Sequence, residues 1–268
     1  MFDLLNNTAH KAGEILLTYF RQETLNVSHK TSHHNIVTQA DTEAQAVIHK
    51  LLIEGMQEKG IDPTDVGFIG EEKLSTEMKE HMFIIDPLDG TANFATGLEL
   101  FCVLIGYMRN GKVEAGIIYM PVHGDIYFAE KGKGAFLMRR GIKLPLKIDN
   151  ADTTNGFLSS YLGEGSIEKR MPEKLARLQP DFRGIRLIGA GGVSFAYLSE
   201  NIFDTVILGH CGLWDFVGPQ IIIEEAGGII YDWQGNEIVY DFKNPFKPYE
   251  LIASHPSFKK QIVEKMKS

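Results

Sequence analysis

Cysteine is scarce: Cys102 and Cys211 are the only two in 268 residues, and neither stands in a CxxC pair or at zinc-ligand spacing. Such a chain builds no disulfide framework, and two buried free thiols in a reducing cytoplasm are expected. Long apolar runs are absent as well. The N-terminal MFDLLNNTAHKAGEILLTYF is interrupted by Asp3, His10, Lys11 and Glu14, which makes it an amphipathic helix rather than a signal peptide or a membrane span. Basic charge is in deficit, with 27 Lys and Arg against 35 Asp and Glu and a net charge of -8. Without a basic stripe, nucleic acid is not an expected partner, whereas small anions approached through metal ions remain compatible. There is no Gly/Ser linker and no low-complexity segment. With 44% hydrophobic residues, the chain can bury a large core as a single domain over 1–268. Its pattern changes near residue 145, which suggests two intimate subdomains of about 1–145 and 146–268.

What is present in strength is acid at the ends of apolar segments. In the stretch Met82 to Phe94, MFIIDPLDGTANF, a short apolar run leads to Asp86, and Pro87 has no N–H to donate. A strand is therefore expected to stop at Asp86, with its carboxylate at the sheet edge. Asp89 follows, Gly90 frees the backbone to approach a ligand, and Thr91 is placed to cap a helix whose unpaired N–H groups face an anion. Carboxylates alone repel a phosphate. Divalent cations between them reverse the local sign of charge, and hard oxygen ligands recruit Mg2+. Taken alone, DPLDG is also an ordinary surface turn.

Two further acidic clusters weigh against that simpler reading. In GFIGEE, Phe68 and Ile69 lead through Gly70 to Glu71 and Glu72, again where a strand should end. In WDFVGPQIIIEEAGG, Asp215 stands in the first turn of a helix that buries Ile221, Ile222, Ile223 and Ala226 and stops at Gly227 and Gly228. Singly, Glu71 belongs to a solvated acidic pair and Asp215 is an acid favoured by the helix macrodipole. Those explanations do not account for three such clusters in one chain.

Around these motifs, helices are expected over about Phe2 to Phe20 and Asp41 to Lys59. An antiparallel meander follows, with strands at Phe101 to Met108, Val113 to Met120, Asp125 to Ala129 and Ala135 to Met138. Turns at Asn110-Gly111, His123-Gly124 and Lys131 to Gly134 separate them. The second half alternates strand and helix: FLSSYL, IRLIG, a helix from about Val193 to Glu200, FDTVIL, the Asp215 helix, and a last strand and helix.

The motifs GEE, DPLDGT and WDxxGP, in this order and at these separations, resemble the inositol monophosphatase family of Mg2+-dependent, Li+-sensitive phosphomonoesterases. The resemblance runs from the first helix to the C-terminus. It implies an α/β fold with α+β character: a layered αβαβα sandwich with an antiparallel sheet in the N-terminal half, a mixed sheet in the C-terminal half, and the metal site at their junction. It also implies two to three Mg2+ ions per site, with Mn2+ admissible, inhibition by Li+, a small phosphorylated metabolite as substrate, and a homodimer. By the same resemblance, Glu71, Asp86 and the backbone carbonyl of Leu88 bind the ion that activates water. Asp86, Asp89 and Asp215 bind the ion facing the leaving oxygen. Thr91 orients the water, Asp41 holds the Thr91 hydroxyl, and the amides of Gly90 and Thr91 face the phosphoryl oxygens. The turn Gly189, Ala190 and Gly191 lets a substrate ring approach the backbone. Asp41 alone reads equally well as a cap of the helix through Ala44 and Val47. The segment HKTSHHNIVTQAD resembles the family's mobile loop, which makes Lys30 a contact for phosphate or a loosely held metal; His33 and His34 have no partner at ligand spacing and receive no role.

One position departs from the pattern. Many inositol-selective members carry a Glu seven residues before the last metal-binding Asp, where it hydrogen-bonds ring hydroxyls; here that position is Leu208, which cannot accept those bonds. Either the polyol is held differently or the substrate is another ester: the 2'-phosphate of NADP, the 3'-phosphate of an adenosine bisphosphate, or the 1-phosphate of fructose bisphosphate. A haloacid dehalogenase-like phosphatase is set aside because that family uses DxD, whereas the acids here are three apart with Pro between them. A catalytically silent metal or phosphometabolite sensor would have lost a ligand, yet Asp41, Glu71, Asp86, Asp89, Thr91 and Asp215 are all present.

Overall fold

The computed structural model describes residues 1–22, 27–29, 36–149, 156–162 and 170–267; Lys30, His33 and His34 lie outside them. The N-terminal amphipathic pattern folds as α1 (Phe2–Tyr19), which buries Leu5, Ala9, Ala12 and Leu16, and α2 (Gln39–Glu58), which buries Ala44, Ile48, Leu52 and Met56. These residues recur every three or four positions, so each helix turns one apolar stripe toward the core. Between them β1 (Val27–His29) and β2 (Ile36–Thr38) form an antiparallel ribbon.

The first sheet comprises β3 (Val66–Gly70), β4 (Leu74–Ser75), β5 (His81–Asp89), β6 (Cys102–Arg109), β7 (Lys112–Met120), β8 (Asp125–Glu130), β9 (Ala135–Arg139) and β10 (Ile142–Leu146). Its order is β10-β9-β8-β7-β6-β5-β3-β4. The pairs are antiparallel as expected, with one exception: β3 and β5 run parallel. Strand β4 turns back at the outer edge, so the chain re-enters on the other side of β3 in the same direction. Strand β10 is an edge strand absent from the sequence reading, and Pro145 within it is tolerated because an edge leaves some backbone positions unpaired.

The second sheet comprises β11 (Phe157–Ser160), β12 (Gly184–Leu187), β13 (Thr205–Cys211), β14 (Ile229–Asp232) and β15 (Tyr249–Ser254). Its order is β12-β11-β13-β15-β14; β11 is parallel to β12 and β13, and β15 is antiparallel to its neighbours, so the sheet is mixed. Helices α5 (Gly191–Ser199) and α6 (Leu213–Glu225) fill the space between the two sheets, sharing a core of Ile84, Leu104, Val193, Phe216, Val206 and Leu251. α1 and α2 cover the far face of the first sheet. α4 (Met171–Leu178) and α7 (Lys259–Lys267) cover the far face of the second. The result is the expected αβαβα sandwich. Among the described residues no helix is long and apolar enough to cross a membrane.

Helix α6 lies unusually close to the first sheet. A Cβ on Gly116 would come within 2.1 Å of the Gly218 carbonyl oxygen, and one on Gly218 within 2.9 Å of the Ile105 oxygen. Only glycine permits that backbone-to-backbone approach. It seats the start of α6, with Asp215, over the end of β5.

Candidate active site

Strand β5 does not stop at Asp86 as its Pro87 suggested. It continues to Asp89, which pairs with Cys102, and a register shift between Asp86 and Asp89 absorbs the proline. A bulge accepts Pro because its nitrogen is asked for no ladder bond. The bulge also has a functional consequence. In a regular strand, residues three apart face opposite sides of the sheet, yet here Asp86 and Asp89 line the same cavity.

Gly90, at φ 89°, is the N-cap of α3 (Thr91–Thr96), so Thr91 is the first helical residue and not the cap. Its hydroxyl lies 3.1 Å from the Leu88 carbonyl oxygen and 3.3 Å from Asp41 Oδ1. Asp41 is fully buried in the first turn of α2, so this contact ties the far helical layer to the site. Asp86 Oδ1 accepts the Leu88 amide at 2.9 Å. Asp215 Oδ2 accepts the amide of Gly212, the residue that caps its own helix, at 2.6 Å. Asp89 accepts from the neighbouring strand and from the start of α5: the Gly191 amide reaches Oδ1 at 3.1 Å, and the Gly192 amide and the Cys102 thiol reach Oδ2 at 2.7 and 3.3 Å.

Carboxylate oxygens of Asp86, Asp89 and Asp215 all lie within 4.8 Å of one another, facing a cavity of about 250 Å3 that Glu71 also lines. Burial raises the Asp86 carboxyl well above the ordinary carboxylate range, and the charges of Glu71, Asp89 and Asp215 push it the same way. Burial raises Asp89 too, against the opposing pull of the Gly192, Cys102 and Gly191 donors. Burial, with Asp89 and Asp86 beside it, likewise pushes the Cys102 thiol up and keeps it a donor. Crowded, desolvated carboxylates repel one another unless a cation stands among them. Their all-oxygen donor set suits a hard divalent ion such as Mg2+ and offers nothing soft to a thiophilic one.

A family model described as the inositol monophosphatase family matches residues 1–268. The chain belongs to the inositol monophosphatase family. It is 34% identical to human inositol monophosphatase 1, covering 85% of this chain and 81% of that protein. It is 30% identical to a Thermotoga maritima fructose-1,6-bisphosphatase/inositol-1-monophosphatase, with coverage of 85% and 82%. The crystal structure of extragenic suppressor protein suhB from Bartonella henselae matches with a TM-score of 0.86 at 25% identity, covering 100% of this chain and 98% of that one. As an inositol monophosphatase family member, the chain is a phosphatase acting on phosphate monoesters.

Of the residues singled out in the sequence, Glu71, Asp86, Leu88, Asp89, Gly90, Thr91, Gly189, Gly191 and Asp215 line the cavity of this inositol monophosphatase fold. Asp41 reaches it through Thr91. Glu71 is not one of the three clustered acids but acts on Asp86 through its charge. Ala190 is 3% exposed beneath Gly90, whose Cβ, if present, would stand 2.9 Å from the Ala190 methyl. Sequence reasoning missed Asn93, whose side-chain amide donates to the carbonyls of Leu100 at 2.7 Å and Ile188 at 2.9 Å and so joins α3 to the Gly189 turn. A polar residue inside the apolar ANF segment was its available signal. The opposite wall, with Tyr161, His210, Trp214, Phe246 and Pro248, was missed except for Leu208. Phe246 and Pro248 stand in no motif, and nothing local marked them.

Proposed function

We propose that this chain is a Mg2+-dependent phosphomonoesterase that hydrolyses inositol monophosphate or a related small phosphate ester, with water as the nucleophile. The carrying observation is the convergence of Asp86 and Asp89 from β5 with Asp215 from α6, oxygens within 4.8 Å, on a cavity that Glu71 and Thr91 also line. Bound divalent ions supply Lewis acidity, which makes water a nucleophile at neutral pH and neutralises the leaving alkoxide. Glu71, Asp86 and the Leu88 carbonyl would hold one such ion, and Asp86, Asp89 and Asp215 would hold a second. Thr91 gives its single hydroxyl proton to Asp41 or to the Leu88 carbonyl, which leaves its oxygen lone pairs to accept a hydrogen of the attacking water and orient it. The Gly90 and Thr91 amides face the phosphoryl oxygens as charge develops. No phosphoenzyme is required. The companions of this reading are Mg2+, replaceable by Mn2+, inhibition by Li+ and a homodimer; the two buried free thiols, Cys102 and Cys211, support a cytoplasmic setting.

A second reading concerns the alcohol alone. A Cβ on Gly191 would lie 3.4 Å from Leu208 Cδ1, so an apolar side chain borders the glycine turn where an acceptor for ring hydroxyls is wanted. Trp214 and Phe246, with ring centroids 5.7 Å apart, extend that surface. This favours a different ester on the same acids: the 2'-phosphate of NADP, an adenosine 3'-phosphate, or fructose 1,6-bisphosphate, the last matching the double name of the Thermotoga maritima relative. The test is phosphate release from inositol 1-phosphate, NADP, adenosine 3',5'-bisphosphate and fructose 1,6-bisphosphate, with Mg2+ and with or without Li+. Mg2+-dependent release is expected, and the preferred ester decides between the two readings. Retained metal binding with no turnover on any of the four would instead make the chain a sensor.

A further inference from the structure

Leu208 deprives the alcohol side of the cavity of one acceptor, and the same strand offers another close by. Strand β13 carries a register shift: Leu208 pairs with Leu251 and Cys211 with Tyr249, so Gly209 and His210 together face the single residue Glu250. Residues three apart point to opposite sides of a regular strand, yet Leu208 and Cys211 both pack in the core between the sheets and both line the cavity. The bulge returns Cys211 to that side by admitting one extra residue. Gly209 is turned the other way: a Cβ there would come within 2.9 Å of Met171 Cε and 3.2 Å of Trp233 Cζ2, in the core beneath α4 and α7. His210 is left on the cavity wall, exposed where its strand neighbours are buried.

The chemistry of that wall singles out the imidazole. Leu208, Phe246 and Pro248 offer apolar surface, the Trp214 indole only donates, and Tyr161 already has a partner. The His210 ring makes no hydrogen bond or ion pair among the described residues, so it keeps the capacity of both nitrogens, including an acceptor. We propose that His210 is a specificity-determining residue that accepts a hydrogen bond from a hydroxyl of the alcohol, supplying the recognition that Leu208 cannot. The inference rests on the phosphomonoesterase reading above and names the substrate class within it: the ester of a hydroxylated alcohol, a polyol or a sugar, in preference to a bare aryl or alkyl one. An imidazole adds no negative charge to a cavity that already holds Glu71, Asp86, Asp89 and Asp215, so it reads hydroxyls without repelling a second phosphate on the same sugar.

The test is steady-state phosphate release with Mg2+ from the four esters named above, all of which carry hydroxyls, and from phenyl phosphate, which has none to read. For whichever of the four the wild type hydrolyses with the highest kcat/KM, His210→Ala is expected to lower kcat/KM relative to phenyl phosphate roughly tenfold, the order of one hydrogen bond, with the loss carried by KM. His210→Phe, which keeps a ring but no polar atom, is expected to match it. His210→Gln, whose amide both donates and accepts, is expected to recover most of the wild-type ratio. An unchanged ratio in His210→Ala or His210→Phe, or an equal fall in His210→Gln, overturns the proposal. A wild-type protein that hydrolyses phenyl phosphate but none of the four overturns it as well and leaves the phosphomonoesterase reading standing. Release from none of the five overturns that reading and this inference with it.

Discussion

On one side of the cavity Asp86, Leu88, Asp89, Gly90 and Thr91 come from one continuous stretch, the end of β5 and the start of α3; on the other, Tyr161, Leu208, His210, Trp214, Phe246 and Pro248 are gathered from separate stretches of the second half. The first wall is charged, buried and interlocked by short hydrogen bonds, with Asp89 held from three directions. The second is mixed and partly open, with Leu208 at 4% exposure and Phe246 at 46%. The difference follows from the tasks. Phosphoryl chemistry needs oxygens fixed to fractions of an ångström, which one bulged strand and its neighbours provide. Choice of alcohol needs only a surface, and a surface can be assembled from distant segments and changed without disturbing the acids.

Breaking the acidic wall should have the largest effect. Asp89→Asn is expected to lower kcat by about a thousandfold or more, because the amide removes a charge from the cluster and offers its NH2 where the Gly191 or Gly192 amide already donates. A kcat within tenfold of wild type would remove Asp89 from the ligand set. Thr91→Ala comes next, with a loss of roughly a hundredfold in kcat and little change in KM, since the hydroxyl orients water and does not hold the ester. A rise in KM at constant kcat would reassign Thr91 to binding.

The other wall should respond in kind, not degree. Leu208→Glu is expected to raise kcat/KM for inositol 1-phosphate relative to phenyl phosphate by about tenfold, the order of one hydrogen bond to a charged group. If the ratio of the two esters does not move, the alcohol does not rest on Leu208. The smallest effect concerns the acids without their ions. Burial holds Asp86 and Asp89 above the ordinary carboxylate range, so the folded chain binds those protons more tightly than the unfolded one. The ion-free protein should therefore lose stability as pH rises from that ordinary range through the raised values. Melting in a chelator should show a Tm a few degrees higher near pH 5 than at pH 7. Asp86→Asn should flatten the difference, and Mg2+ should raise the Tm at pH 7. A Tm in chelator that climbs from pH 5 to 7 equally in both proteins would mean that the acids do not repel as described.

Local pattern carried α1, α2 and the meander strands because each has a stripe or an alternation of its own. It failed at β10, where Pro145 masks an edge strand, and at α4, whose Met171, Leu175 and Leu178 are too few to stand out. The motifs displayed the acids, but not the way β5 runs past Pro87 or the way Gly90 displaces Thr91 from the cap. Neither Asn93 bridging to Ile188 nor Cys102 touching Asp89 is visible in one dimension, since the first contact joins segments 95 residues apart and the second joins neighbouring strands of the sheet.

The order and spacing of GFIGEE, DPLDGT and WDFVGP determined the family, the acidic character of the site and the kind of ion it suits, because side-chain type and local backbone preference are properties of short stretches. Tertiary structure alone decided that Asp215 meets Asp86 and Asp89. That meeting depends on Gly116 and Gly218 allowing α6 to lie against the sheet, and on a bulge that turns two carboxylates of one strand toward the same cavity. It also decided the wall opposite, because a surface contributed by residues from Tyr161 to Pro248 has no sequence pattern until the chain has folded.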